Sequence, residues 1–221
     1  MSNVLPPGIR TYKPRRGRVS AREYAAIEAA PAWLLPAHGD LIEAALMWGS
    51  QVPVMVEIGF GTGAATAQMA QDDPETGILA IDIHTPGIGD LLMQIDKRHL
   101  TNVRVIEGDA LTVLQERIPE HSLAGVRSYF PDPWPKARHH KRRLVQPAVL
   151  DLIASRVITG GTWHLATDWE PYAESMLDVF AADPTWTGGV IERPSWRPIT
   201  HYERRALREG RPIFDLMFRT A

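Results

Sequence analysis

Between residues 54 and 180, short apolar runs alternate with helical patterns, and this alternation constrains the fold of the 221-residue chain more than any other feature. Val54–Ile58, Ile78–Ile83, Val103–Glu107, Gly125–Phe130 and Thr162–Ala166 read as strands. Ala64–Ala70, Ile88–Arg98, Leu111–Arg117, Leu144–Ile158 and Pro171–Phe180 read as the helices that follow them. Strands joined through helices cannot form hairpins, so the pattern predicts an α/β chain with a mostly parallel sheet and helices on both faces. Ile213–Phe218 has no helix after it and predicts a last strand inserted antiparallel. Upstream, Ser20 followed by Glu23 has the form of a capping box opening a helix through about Ala30. Leu41, Ile42, Ala45, Leu46 and Trp48 predict a second helix ending near Gly49. Residues 1–19 carry Pro, Gly and Arg without apolar periodicity and read as a mobile basic arm, leaving residues 20–221 as a single domain. No Cys is present, basic residues stand where a signal peptide needs its apolar run, and no run nears the roughly 18–20 apolar residues of a membrane span. A cytoplasmic protein without disulfides, thiolate metal sites or a membrane partner is expected. With no obvious exposed apolar stripe, a monomer is favoured and a homodimer stays open.

The net charge of −2 hides a segregation. Residues 1–22, 136–143 and 193–211 together hold 17 of the 24 basic residues and 2 of the 26 acidic ones. Three such segments would make a polyanion-binding face if the fold gathers them, and three unrelated solvated loops if it does not.

The first strand runs into Glu57-Ile58-Gly59-Phe60-Gly61-Thr62-Gly63, directly before a helix. Glycines at alternate positions permit a tight turn and close approach of backbone to a ligand, and the helix offers unpaired N–H groups. The third glycine comes one residue earlier than in the dinucleotide fingerprint, so an NAD(P) site is the rival reading. Asp82 ends the next strand, where an acid can accept from ribose hydroxyls, and Asp109 ends the third, where it can meet an adenine edge. Each acid taken alone could equally be a helix cap. Glycines after one strand with acids after the next two resemble class I S-adenosylmethionine-dependent methyltransferases, a Rossmann-like fold whose mostly parallel seven-stranded sheet ends in an antiparallel strand. Glu57, just before the glycines, fits a cationic sulfonium cofactor.

After strand Gly125–Phe130 comes Pro131-Asp132-Pro133-Trp134-Pro135-Lys136, then a basic run to Arg143. Three prolines make a stiff loop and set Asp132 at the carboxyl end of a strand, where open α/β sheets hold ligands. Trp134 either stacks on a base or wedges the loop. Adjacent His139 and His140 point in different directions and have no carboxylate at ligand spacing, so no metal is expected. The string resembles the signature of the bacterial tRNA (guanine-N7)-methyltransferases, the TrmB type. Ala166–Tyr172, Thr200–Arg205 and the arm Ile9–Arg18 match the same family, so the similarity spans about Ile9 to Phe218.

That resemblance implies methyl transfer from S-adenosyl-L-methionine to guanine N7 in tRNA, at position 46 of the variable loop. It makes Glu57, Gly59, Gly61, Gly63, Asp82, Asp109 and Asp132 cofactor contacts and Asp132 the catalytic position. Lys136, Asp168, Thr200, His201, Tyr202 and Glu203 become substrate contacts, and Arg16, Arg18, Arg138, Lys141, Arg142 and Arg143 candidates for the RNA backbone. Asp82 stands where Glu is usual, Ala137 where a base is common, and His201-Tyr202 where Lys-Phe is usual. On the residues alone, a methyltransferase of the same fold acting on another RNA, a small molecule or a protein, or a non-catalytic RNA-binding module, stays open.

Overall fold

The apolar run Val54–Met55–Val56 has to leave water on both sides, and the chain places it in the middle of an eight-stranded sheet. A computed structural model describes residues 10–13, 17–49 and 51–221. In chain order the elements are α1 (Ala21–Ala29), β1 (Leu34–Leu35), α2 (Ala44–Trp48), β2 (Val54–Ile58), α3 (Ala64–Asp72), β3 (Gly77–Asp82), α4 (Thr85–Arg98), β4 (Val103–Glu107) and α5 (Ala110–Arg117). Then follow β5 (Leu123–Tyr129), a 3-10 helix (Ala137–Arg142), α6 (Pro147–Arg156), β6 (Val157–Thr167), α7 (Glu170–Ala181), β7 (Trp186–Ile191), α8 (His201–Arg208) and β8 (Phe214–Thr220). The strand order is β1-β4-β3-β2-β5-β6-β8-β7, parallel from β1 to β6, with β8 antiparallel to both β6 and β7. The order reverses at β2, so a crevice opens between the carboxyl ends of β2 and its two neighbours.

Two apolar layers hold the helices to the sheet. On one face Ala67, Met69, Ile88, Leu91, Leu92 and Ile95 of α3 and α4 cover Ile78, Ala80, Val103 and Val105. On the other, Val113, Leu150, Ile153, Tyr172, Met176 and Phe180 of α5, α6 and α7 cover Val56, Leu79, Ile106, Val126 and Leu165. Trp163 packs edge-on to Phe180 at 5.5 Å, and Phe180 stacks on Phe218 at 3.6 Å. The capping box forms as expected: the Ser20 hydroxyl accepts from the Glu23 N–H and the Ser20 N–H donates back to the Glu23 carboxylate.

The fold class agrees with the sequence pattern, and the differences are local. Among the described residues there are eight strands, where the family resemblance implies seven and the apolar pattern shows six. The two outside the pattern are β1, a two-residue edge, and β7, where Thr187-Gly188-Gly189 interrupts any apolar alternation. The helix read over Leu144–Ile158 starts only at Pro147 and yields to β6 at Val157. The basic run does not open that helix. It forms its own 3-10 helix, separated from α6 because Leu144 and Val145 turn inward to the core. Among the described residues no helix is long and apolar enough to cross a membrane.

Candidate active site

All three glycines after β2 adopt the left-handed backbone, with φ of 76° at Gly59, 64° at Gly61 and 69° at Gly63. Gly63 also has no room for a side chain, since a Cβ there would lie 2.5 Å from Leu91 Cβ on α4. Gly63→Ala should therefore lose about 1–3 kcal/mol, read as a lower urea midpoint at unchanged m-value. The loop is clamped from the next strand. Asp82 Oδ2 accepts the Gly61 N–H at 2.8 Å, and its Oδ1 accepts from Ile83 and His84 at 2.7 and 3.0 Å. Burial pushes the Asp82 carboxyl up, and these N–H groups pull it back.

A cavity of about 360 Å³ opens above the loop, at the point where the strand order reverses. Glu57–Thr62, Asp82–His84, Gly108–Leu111 and Tyr129–Asp132 form the side contributed by the strand ends. Ile199–Tyr202, Arg204 and Thr11–Lys13 also line it. Tyr202 stacks over Phe130 with ring centroids 6.4 Å apart and approaches Gly61. Four acids, Glu57, Asp82, Asp109 and Asp132, share this wall with the bases Lys13 and Arg204, a balance that suits a cationic ligand better than a pyrophosphate.

The acids are held differently. Asp109 caps α5 by accepting the Leu111 N–H at 2.9 Å, so the cap reading and the cavity position hold together. Asp132 Oδ2 accepts the backbone N–H of Lys13 at 2.8 Å. Glu57 is 3% exposed and its Oε2 is buried with no partner. Burial, only partly offset by the Arg127 charge and the nearby Thr66 hydroxyl, raises its carboxyl to about 7. Glu57 thus lines the cavity while its Oε2 points inward, so the residue brings negative charge to the wall from a buried position.

Comparison with known proteins matches this geometry to a family. A family model described as "Putative methyltransferase" matches residues 51–216. The tRNA (guanine-N(7)-)-methyltransferase of Streptomyces avermitilis is 51% identical over 96% of this chain and 75% of its own length. That of Nitrosospira multiformis is 46% identical over 96% of this chain and 94% of its own.

The chain belongs to the tRNA (guanine-N(7)-)-methyltransferase family.

Solved structures repeat the fold at low identity. An rRNA methylase from Streptococcus thermophilus superposes with a TM-score of 0.54 at 14% identity, over 77% of this chain and 88% of its own. The 16S rRNA methyltransferase KamB gives 0.57 at 16%, over 83% and 94%.

Not every family-motif residue lies where the sequence led us to expect. Glu57, Gly59, Gly61, Asp82, Asp109, Asp132, Thr200, His201 and Tyr202 line the cavity, while Gly63 lies just behind it as the N-cap of α3. Lys136 and Asp168 are outside the lining, Lys136 exposed and Asp168 paired with Arg211 at 3.0 Å. Two readings need correction. Glu203 does not reach a substrate: it is 2% exposed and its carboxylate is taken up by Arg197 at 2.6 and 3.3 Å. Arg143 is not an RNA-facing base: it is 4% exposed, donates to the Pro133 carbonyl at 3.0 Å and lies over the Tyr172 ring. Arg18, Arg138, Lys141 and Arg142 are exposed, and Arg16 is outside the described residues. Trp134 is half-buried, donates to the Thr11 carbonyl at 3.3 Å and carries Arg142 over its ring at 5.0 Å, so it holds the loop and arm together.

The sequence reading missed Thr11–Lys13, His84, Tyr129, Phe130, Ile199 and Arg204. Phe130 and Tyr129 directly precede the proline string, and Arg204 lies one turn beyond Thr200, so proximity to the motifs was the available signal. Among the described residues no three His, Cys, Asp or Glu side chains gather as they would around a metal ion.

Proposed function

We propose that this protein transfers a methyl group from S-adenosyl-L-methionine to N7 of guanine in tRNA, at position 46 of the variable loop. The observation that carries the reading is the convergence of Glu57, Asp82, Asp109 and Asp132 on one cavity around the glycine loop. Glu57, through the charge of its carboxylate, and the Gly59–Gly61 backbone would hold the cationic end of the cofactor; Asp82 and Asp109 would hold its ribose and adenine. When bound, the cofactor supplies an electrophilic methyl carbon.

Guanine N7 has a lone pair and no proton, so the chain's residues need no general base. Their work is alignment and charge. The proline-braced strand end holds Asp132 where a purine becoming cationic is stabilised by a fixed carboxylate. In the free enzyme that carboxylate accepts from Lys13 N–H, which a bound base would have to match or displace. Tyr202 and Phe130, stacked on each other in the cavity lining, would give the base an aromatic wall. Lys136 and Asp168, outside the cavity wall, would contact the nucleotides flanking the target.

Arg18, Arg138, Lys141 and Arg142 would grip phosphates, beside a single catalytic domain spanning residues 20–221. We expect a monomer working in the cytoplasm. Purified protein given labelled cofactor should label tRNA lacking the modification and leave rRNA and small-molecule acceptors unlabelled; the reverse preference would refute an RNA substrate of this class. Arg142→Glu should weaken tRNA binding and lower the slope of log K against log salt by about one. Identical binding curves at every salt concentration would remove this surface from the RNA path. Arg143→Glu is unsuited to that test, because it buries an unpaired charge.

A further inference from the structure

Behind the wall made by Thr200–Tyr202 lies a buried polar cluster that the chemistry above does not use. Arg197 is 0% exposed, Glu203 2%, Asp215 3% and His164 1%. The Arg197 guanidinium forks onto Asp215, with Nε to Oδ1 at 2.7 Å and Nη2 to Oδ2 at 2.8 Å. Its Nη1 donates to Glu203 Oε2 at 2.6 Å. Asp215 Oδ1 also meets His164 Nε2 at 2.9 Å, and His164 Nδ1 meets the Tyr129 hydroxyl at 3.0 Å. Burial holds His164 neutral, so the tautomer with its proton on Nε2 donates to Asp215 and accepts from Tyr129. The circuit closes on itself, because Arg197 lies over the Tyr129 ring at 5.3 Å.

One end of this circuit, Tyr129, lines the cavity, and the other, Glu203, directly follows the lining residues Thr200–Tyr202. Tyr129 ends β5, three residues before Asp132. Glu203 sits in the first turn of α8, where Thr200 caps the helix by accepting the Glu203 N–H at 3.1 Å. Helix α8 buries only Glu203 and Ala206, so little apolar packing fixes it. A buried ion cluster seldom outperforms a hydrophobic one in stability, so its use here points to fixing one geometry.

Resting on the methyltransferase reading of the cavity, we propose that Arg197 is a positioning residue. Through Glu203 it sets the distance between the Thr200–Tyr202 wall and the strand end carrying Tyr129 and Asp132. Glu203 then acts through Arg197 and touches no substrate.

The test uses Glu203→Gln and Arg197→Lys in the full-length enzyme, with melting temperature, kcat, KM for tRNA, and amide hydrogen exchange of the segment spanning residues 199–205. Glu203→Gln keeps the shape of the side chain and one acceptor, so it remains informative if Arg197→Lys does not fold. At a temperature where the variant is fully folded, kcat should fall about tenfold while KM for tRNA stays within about twofold. Amides of residues 199–205 should exchange faster while those of β5 and β6 do not change. If both variants fold, the losses in the double variant should be less than additive, because both changes break the Arg197–Glu203 linkage, although Glu203→Gln also weakens the contact with Arg193 at 3.6 Å. Wild-type kcat in either folded variant, unaltered exchange at residues 199–205, or additive losses in the double variant would each overturn the proposal. Exchange is measured without cofactor or tRNA. If the wild-type enzyme methylated some other acceptor, the exchange result would still decide the role of Arg197.

Discussion

Asp132→Ala should leave the fold intact and cut the single-turnover rate of methyl transfer to tRNA by about a hundredfold or more. The side chain sits on a loop braced by Pro131, Pro133 and Pro135, is only partly buried and accepts from Lys13 N–H, so its loss exposes no core. What disappears is a fixed negative charge beside a base that turns cationic as the bond to N7 forms. Asp132→Asn separates charge from shape. The amide oxygen can still accept from Lys13, yet the rate should stay close to that of the alanine variant. A rate near wild type for the asparagine variant would mean that hydrogen bonding, and not charge, is what Asp132 provides.

The second large effect concerns Glu57, where stability and binding should move in opposite directions. Burial raises its carboxyl from 4.5 to about 7. Below pH 4.5 the group is protonated folded and unfolded, and the fold bears no cost. As pH rises from 4.5 to about 7 the unfolded chain gives up its proton first, so stability falls; above that the loss is constant. The shift corresponds to about 3 kcal/mol. Glu57→Gln should recover a stability increment of this order at pH 8 and none at pH 4, measured by chemical denaturation. Cofactor affinity should do the reverse. In the wild type it should climb as pH passes through about 7, because only the ionised carboxylate attracts a cation. In Glu57→Gln it should be weak and independent of pH. A variant that keeps both the affinity and its pH dependence would show that the cation is held elsewhere.

The legible parts of this molecule were those whose chemistry is written in adjacent residues. The glycine loop, its following helix, and acids at successive strand ends need no knowledge of distant contacts, and all came together on one cavity. The proline string fixed Asp132 for the same reason. What could not be read depends on long-range packing. A run of bases looks the same whether its members face water or a core: Arg142 is exposed while Arg143 is buried over Tyr172, and Arg197 lies with no exposure among acids 6 and 18 residues away. Glu203 stood inside a motif and was read as a substrate contact, because nothing local reveals that a buried arginine takes its carboxylate. Helix α8, His201–Arg208, is polar on average, and its apolar side is as narrow as Tyr202 and Ala206 one turn apart, too short a repeat to announce it. Strand β7 was hidden by the paired glycines in its middle. The arm read as loose sequence, yet Thr11 and Lys13 meet Trp134 and Asp132 through backbone groups, which a side-chain pattern cannot foretell.

The most direct test of the account is to digest tRNA after reaction with isotopically labelled cofactor and identify the labelled nucleoside by mass spectrometry. The account predicts the label in 7-methylguanosine alone, from the variable loop, and its disappearance with Asp132→Ala. Label in any other nucleoside, or undiminished 7-methylguanosine from the Asp132→Ala enzyme, would contradict it.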